Sequence, residues 1–278
     1  MKKILGIIAS PRNLGNSEMM VKEISSHIPL AHELNLLRLS DFNIRHCTGC
    51  YQCLFKKEGC VLDDDLHIIQ NAILDADALI VAAPAYFLGA NAALKLLLDR
   101  GLSFLNHVEK LWGKPAVGIA VAGIEGKEGS TLLGIESFLK LTMTEVKKTA
   151  IAYGALPGEV FFNEQNKKTA AELGESLFAP APEKKAYACP LCGGDTFRFL
   201  GDNKVKCMLC SNSGTMRMES GSPVFEINKG EHELFLTKEE TIQHGEWLQK
   251  MKGRFKEQKS RLKEISMAYK EGGNWIKP

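Results

Sequence analysis

The 278-residue chain contains no apolar run approaching the ~18 residues of a membrane-spanning helix, so nothing in it reads as a bilayer span. It has no Gly-x-Gly-x-x-Gly fingerprint and no Walker lysine pattern, which excludes those two phosphate sites. No Ser, His and Asp arrangement suggests a triad, and no side-chain general base stands out. Internal repeats and low-complexity segments are absent. Charge is nearly balanced, 35 Lys and Arg against 33 Asp and Glu, and the net +2 by itself selects no class of partner. Met1 to Ser10 holds two lysines and a short apolar stretch, which Pro11-Arg12-Asn13 ends without a small-residue cleavage site. It reads as a buried first strand and not as a signal peptide.

What the chain does have is eight cysteines in two groups of four. Cys47-Thr-Gly-Cys50-Tyr-Gln-Cys53 is followed by Cys60, and Cys189-Pro-Leu-Cys192 by Cys207-Met-Leu-Cys210. Paired thiols in a chain without a signal peptide predict metal binding in a reducing cytoplasm, not structural disulfides. In the first group, three thiols at i, i+3 and i+6 and a fourth just beyond can converge on one centre, and thiolates favour iron–sulfur clusters or zinc. Free thiols or a redox-responsive disulfide are the alternatives that these residues leave open. Asp64 and Asp65 are expected to cap the following helix, and His46 to be a bystander. The second group is close to a paired-knuckle zinc spacing. It predicts a zinc ribbon or a shortened rubredoxin-like unit holding zinc or iron. Four thiolates close such a site, which favours a structural role over catalysis. The stretch lacks the dense basic and aromatic surface of a nucleic-acid binder.

Residues 1 to 178 alternate between strand and helix patterns. Ile4–Ala9, Ala78–Ala82 and Ala116–Val121 are near-continuous apolar runs suited to parallel strands buried on both faces, and a further strand is expected over Val146–Ala152. Met20, Ile24 and Ile28 follow Ser17 at helical spacing, with Ser17 as the expected N-cap. Leu94, Leu97, Leu98, Leu102 and Leu105 give another helical pattern. Together they predict a doubly wound α/β domain. The two closely spaced prolines of Ala179–Lys185 mark a linker, placed at 179–186. A module follows over 187–236, with a hairpin turning at Gly201-Asp202-Asn203, and then a long helix and tail over 237–278 that opens with Thr237-Lys-Glu-Glu240. The basic face of that helix is read as solvated, and its apolar stripe as packing on another domain or subunit.

Three loops at strand ends carry candidate binding residues. Ser10-Pro-Arg-Asn-Leu-Gly-Asn-Ser17 places hydroxyls, amides, a glycine and Arg12 at a helix N-terminus, which suits a phosphate. Ala83-Pro-Ala-Tyr-Phe87 offers two aromatics to a planar ring, unless they are simply core. Gly123-Ile-Glu-Gly-Lys-Glu-Gly-Ser130 lets backbone approach a ligand closely.

In this order, Ser10-Pro-Arg-x-x-Gly-Asn-Ser17, Cys47-Thr-Gly-Cys50-x-x-Cys53, Cys60 with Asp64-Asp65, Ala83-Pro-Ala-Tyr-Phe87 and Leu98-Asp-Arg100 resemble the NAD(P)H-dependent FMN reductase superfamily. Within it they are most similar to the iron–sulfur flavoprotein branch, over about the first 178 residues. The resemblance implies a flavodoxin-like fold with a five-stranded parallel sheet, and bound FMN. It places phosphate binding on Ser10, Arg12, Asn16 and Ser17, and flavin-ring contacts on Pro84, Tyr86, Phe87 and Gly123. It implies a [4Fe–4S] cluster on Cys47, Cys50, Cys53 and Cys60, and assembly as a homodimer or dimer of dimers. The expected function is an FMN-dependent oxidoreductase or electron-transfer flavoprotein. Its donor would be a ferredoxin-like carrier or NAD(P)H, whose nicotinamide can stack on the flavin without a dinucleotide fingerprint. A non-enzymatic redox sensor or zinc-dependent interaction module is the alternative, and neither a nucleic acid nor a membrane is an expected partner.

Overall fold

The computed structural model describes residues 1–56, 59–180, 185–270 and 273–276. Its first part runs β1 (Lys2–Ile8), α1 (Asn16–Ser26), β2 (His32–Arg38), α2 (Leu66–Asp75), β3 (Ala78–Tyr86), β4 (Gly89–Ala90) and α3 (Ala92–Asp99). It continues with α4 (Val108–Leu111), β5 (Pro115–Ala122), α5 (Thr131–Leu141), β6 (Glu145–Tyr153) and α6 (Glu164–Ser176). The sheet order is β2-β1-β3-β5-β6, all parallel, with the short β4 folded back antiparallel on β3. Apart from β4, which the sequence reading does not foresee, this is the five-stranded flavodoxin-like order, with its switch point between β1 and β3.

The apolar runs behave as parallel strands because alternate residues enter opposite layers. Ile4 and Ile8 pack with Ile80, Ile119 and the α1 and α6 residues Met20, Ile24 and Leu173. Leu5 and Ile7 pack with Leu79, Val81 and residues of α2, α3 and α5. Both faces are therefore dry, and such strands lose their polar–apolar alternation.

Two helix expectations need correction. The helix expected to be capped by Ser17 begins at Asn16, with Gly15 in the N-cap position and no side-chain cap bond. Gly15 takes the extended backbone this position needs, and its carbonyl accepts the Met19 N–H at 3.0 Å. The leucine pattern from Leu94 to Leu105 is not one helix either. α3 stops at Asp99, and Gly101–His107 continue as a 3-10 stretch. The break falls where Arg100 turns its side chain into the protein.

The second part is a four-stranded antiparallel sheet, ordered β10-β9-β8-β7, of β7 (Phe197–Gly201), β8 (Lys204–Cys207), β9 (Ser213–Glu219) and β10 (Ser222–Asn228). The β7–β8 hairpin is the expected one. β9 and β10 extend it, and Phe197 and Phe225 stack at 3.9 Å across the sheet. Residues 181–184 of the expected linker lie outside the described residues. Helix α7 (Lys238–Met267) starts at Thr237, whose side chain accepts the Glu240 N–H at 3.2 Å, as the capping pattern implies. Its first half returns to the α/β part: Lys238 pairs with Glu109, and Gln249 Nε2 donates to the Leu54 carbonyl at 2.9 Å. Among the described residues no helix is long and apolar enough to cross a membrane.

Gly129 tests the loop geometry at the sheet's carboxyl end. It has φ +56°, and a Cβ there would lie 2.2 Å from the Leu88 carbonyl oxygen. Gly129→Ala is expected to destabilise the protein by roughly 1–3 kcal/mol, measured as a lower urea midpoint with an unchanged m-value.

Candidate functional site

Because the strands are parallel, their carboxyl ends open at one edge of the sheet. A cleft of about 200 Å³ lies there, lined by Ser10, Arg12, Asn16, Ser17, Pro84, Tyr86 and Gly123. Those are seven of the eight residues assigned to cofactor binding from sequence. The structure also brings in Ala85, Val121, Gly154 and Ala155. The last two follow β6, in a segment whose sequence carries no polar motif. The eighth residue, Phe87, is fully exposed at the tip of the β3–β4 hairpin, outside the cleft lining.

Each side of the cleft has a local cause. On the α1 side the helix opens without a side-chain cap, so its first N–H groups remain for an anion. Glu18 shapes this loop from beneath. Burial would raise its pKa, but Lys22, the Leu14 N–H at 2.9 Å and Arg38 Nη2 at 2.7 Å outweigh burial and hold it below the usual carboxylate range. Its charge is thus matched within the protein and does not repel an anion above. Asn16 is committed differently from the sequence expectation of a phosphate contact. Its Nδ2 donates to the Gly154 and Leu156 carbonyls at 2.8 and 3.0 Å, and its Oδ1 accepts the Gly158 N–H at 2.9 Å. It ties α1 to the loop after β6.

On the ring side, Phe87 and Leu88 have φ of +50° and +65°, the two left-handed positions of a tight hairpin. Bulky residues seldom adopt this conformation, and strain of this kind persists where the surroundings hold it. Here Ser130 N–H and Oγ both donate to the Leu88 carbonyl, at 2.8 and 3.1 Å. Below the cleft, Asn91 Nδ2 donates to the Ala9 carbonyl at 2.6 Å, while its buried Oδ1 has no partner. The uncapped helix end suits an anionic group such as a flavin phosphate, and the orphaned Asn91 acceptor suits an N–H or O–H donor of the same ligand.

The first four cysteines lie in the segment between β2 and α2. Cys47 and Cys50 are exposed, and Cys53 and Cys60 partly buried. Left-handed Gly49 (φ +64°), Tyr51 (φ +56°) and Gly59 (φ +88°) bend the chain around them. Burial, and then the charges of Cys60, Cys50 and Cys47, push the Cys53 thiol up to about 11. The other three thiols thus oppose ionisation of Cys53, and a cationic centre would relieve that opposition; four thiolate donors on this one bent loop fit a cluster. Their surroundings were only partly legible. Asp65 occupies the N-cap position of α2, but its carboxylate accepts the Asn43 N–H at 2.7 Å instead of capping. Asp64 accepts the Leu66 N–H at 3.2 Å and the Arg45 N–H at 2.9 Å, and pairs with Arg100. Read along the chain, Arg100 has no role beyond membership in a motif, because burial is invisible there. His46 is exposed.

The second set is tighter. The sulfurs of Cys189, Cys192, Cys207 and Cys210 all lie within 4.8 Å of one another, with Cys189–Cys210 at 3.8 Å and Cys192–Cys207 at 3.5 Å. A tetrahedral ion with ~2.3 Å bonds to sulfur places its ligands about 3.8 Å apart, so the set fits one zinc or iron ion. Among the described residues it is the group gathered closely enough for a single ion.

Asn16→Ala should lower the stability of the flavin-free protein by about 1–2 kcal/mol, since it removes three hydrogen bonds to part-buried backbone groups of the 154–158 loop. Urea denaturation of the apo-protein measures this separately from any effect on ligand binding.

The comparisons with known proteins accord with this layout. The family model for NADPH-dependent FMN reductase matches residues 2–155, from β1 to the residue closing the cleft after β6. An iron–sulfur flavoprotein of Archaeoglobus fulgidus is 33% identical over 187 residues, covering 66% of this chain and 81% of that one. An iron–sulfur flavoprotein of Methanocaldococcus jannaschii is 31% identical, covering 63% of this chain and 95% of that one. A solved structure of a flavone reductase superposes with a TM-score of 0.73 at 19% identity, over 99% of both chains, so the C-terminal sheet and helix belong to a fold already seen. The chain therefore belongs to the NADPH-dependent FMN reductase family and, within it, to the iron–sulfur flavoproteins.

Proposed function

We propose that this protein is an FMN-dependent oxidoreductase or electron-transfer flavoprotein, moving electrons between a reduced carrier or NAD(P)H and an acceptor through FMN and an iron–sulfur centre. The observation that carries this reading is the cleft at the carboxyl ends of β1, β3 and β5. It joins an uncapped helix N-terminus to an aromatic hairpin, inside the segment matched by the family. Flavin supplies hydride and single-electron chemistry when bound. The chain's own residues position it. Ser10, Arg12 and Ser17, with the α1 N–H groups, would hold the phosphate, and Asn16 would keep that loop in place. Pro84, Tyr86 and Gly123 would border the ring. Phe87 would act from the hairpin tip, and its full exposure supports a homodimer or dimer of dimers in which a second copy covers it.

Cys47, Cys50, Cys53 and Cys60 would hold a [4Fe–4S] cluster. The exposure of Cys47 and Cys50 supports one-electron exchange with a ferredoxin-like carrier at that surface. Cys189, Cys192, Cys207 and Cys210 would hold zinc or iron in a closed site that stabilises the antiparallel sheet. The corresponding division of the chain is 1–178, linker 179–186, module 187–236 and helix with tail 237–278.

Anaerobically purified protein should be yellow-brown and carry about four iron and four acid-labile sulfides per chain beyond any ion at the C-terminal site. Cys53→Ala should lose the sulfide and keep the flavin. Colourless protein holding zinc alone would sink the proposal. Arg12→Ala should weaken FMN binding at least about tenfold, or ~1.4 kcal/mol, in a fluorescence titration. Steady-state turnover with NAD(P)H, compared with reduction by a reduced iron–sulfur carrier, then identifies the donor.

A further inference from the structure

Arg100 is almost completely buried, with its side chain 1% exposed, at the point where α3 ends. Its Nη2 donates to Cys60 Sγ at 3.1 Å. Its Nη1 donates to the Asp64 carboxylate and, at 2.6 Å, to the Arg45 carbonyl. The Asp64 carboxylate, equally buried, is itself fixed by the Arg45 and Leu66 N–H groups. The Arg100 carbonyl is held by Ser103, whose hydroxyl accepts from Gln70 Nε2 at 3.0 Å. The guanidinium thus has a fixed position against one thiol of the first cysteine set.

Stability alone is a weak reason for such a pair. Removing two charges from water costs several kcal/mol, and well-packed apolar residues of similar volume usually do as well. What apolar residues cannot supply is a cationic N–H donor to sulfur. Hydrogen bonds to ligand sulfurs and nearby charge are among the features that set iron–sulfur potentials. The donors at the exposed thiols are neutral: the Gly49 N–H at 3.4 Å from Cys47 Sγ, and the Gln52 N–H and Thr48 hydroxyl at Cys50. Cys60 has a full positive charge beside it, and Asp64, which accepts from both Nη1 and Nη2, opposes that charge.

We propose that Arg100 is a positioning residue that sets the reduction potential of the iron–sulfur centre through Cys60, with Asp64 limiting its effect. The inference rests on the cluster reading above. One-electron reduction breaks no bond and adds one negative charge to the centre and its thiolates. Arg100 favours that state and Asp64 disfavours it.

The test is a potentiometric titration of the cluster, followed by its electron paramagnetic resonance signal, in wild type, Arg100→Gln and Asp64→Asn. In Arg100→Gln the ratio of reduced to oxidised cluster at a fixed potential should fall about tenfold, a shift of about 59 mV to lower potential for one electron. Asp64→Asn breaks the same pair and should shift the potential the other way. Equal potentials, or shifts of the same sign in both variants, would overturn the proposal, because a purely structural pair predicts common behaviour. Loss of acid-labile sulfide from both variants, with FMN and native circular dichroism retained, would also overturn it, since Arg100 would then only hold Cys60 in place. Wild-type protein without acid-labile sulfide would instead remove the cluster reading, and this inference with it.

Discussion

Two-sided burial of the parallel sheet is the constraint on which the site depends. Strands such as Ile4–Ile8 and Ala78–Ala83 send apolar side chains to both faces, so helices must cover both. Crossover helices return the chain to the same end each time, and every strand's carboxyl end then opens at one edge. Loops far apart in sequence, Ser10–Ser17, Pro84–Tyr86, Gly123 and Gly154–Ala155, meet there, and Asn16 hydrogen-bonds directly from the first of them to the last. The cleft follows from the winding of the chain.

A second constraint comes from sulfur. The thiols of Cys189, Cys192, Cys207 and Cys210 sit at the spacing of one tetrahedral ion, inside a small core with Val205, Ile227 and Phe235. The core of that module is slight, and a four-thiolate ion would supply what its apolar contacts do not. The first set has a different character, with two thiols at the surface and one, Cys60, anchored inward on Arg100. A surface position suits electron exchange, and a buried anchor suits control of the local electrostatics.

Much of this was legible in sequence where one residue type has one physical use. Near-continuous apolar runs marked three of the five parallel strands, and a fourth was expected over Val146–Ala152. Glycine, hydroxyls and Arg12 ahead of a helix marked the loop that lines the α1 side of the cleft, and Cys-x-x-Cys pairs marked the four thiols that gather in the second part. Legibility ended where a side chain had several partners to choose from. Ser17 and Asp65 looked like caps, yet Gly15 occupies the first cap position, and Asp65 binds Asn43. Asn16 looked like a ligand contact and is a tether between loops. The leucine spacing from Leu94 to Leu105 runs past Gly101, the one local signal for the stop at Asp99.

Fold class, the positions of the strand-end loops and the grouping of the eight cysteines follow from the order of residues along the chain. Hydrophobic periodicity, turn residues and thiol spacing act locally, so they can be read along one dimension. The tertiary structure alone decided which loops share a cleft, that Phe87 stands outside it, and that Arg100, forty residues beyond Cys60, donates to its sulfur. Those outcomes depend on which buried polar group finds a partner first among several at hydrogen-bonding distance. That competition is settled by packing in three dimensions, and neighbouring residues in the chain carry no record of it.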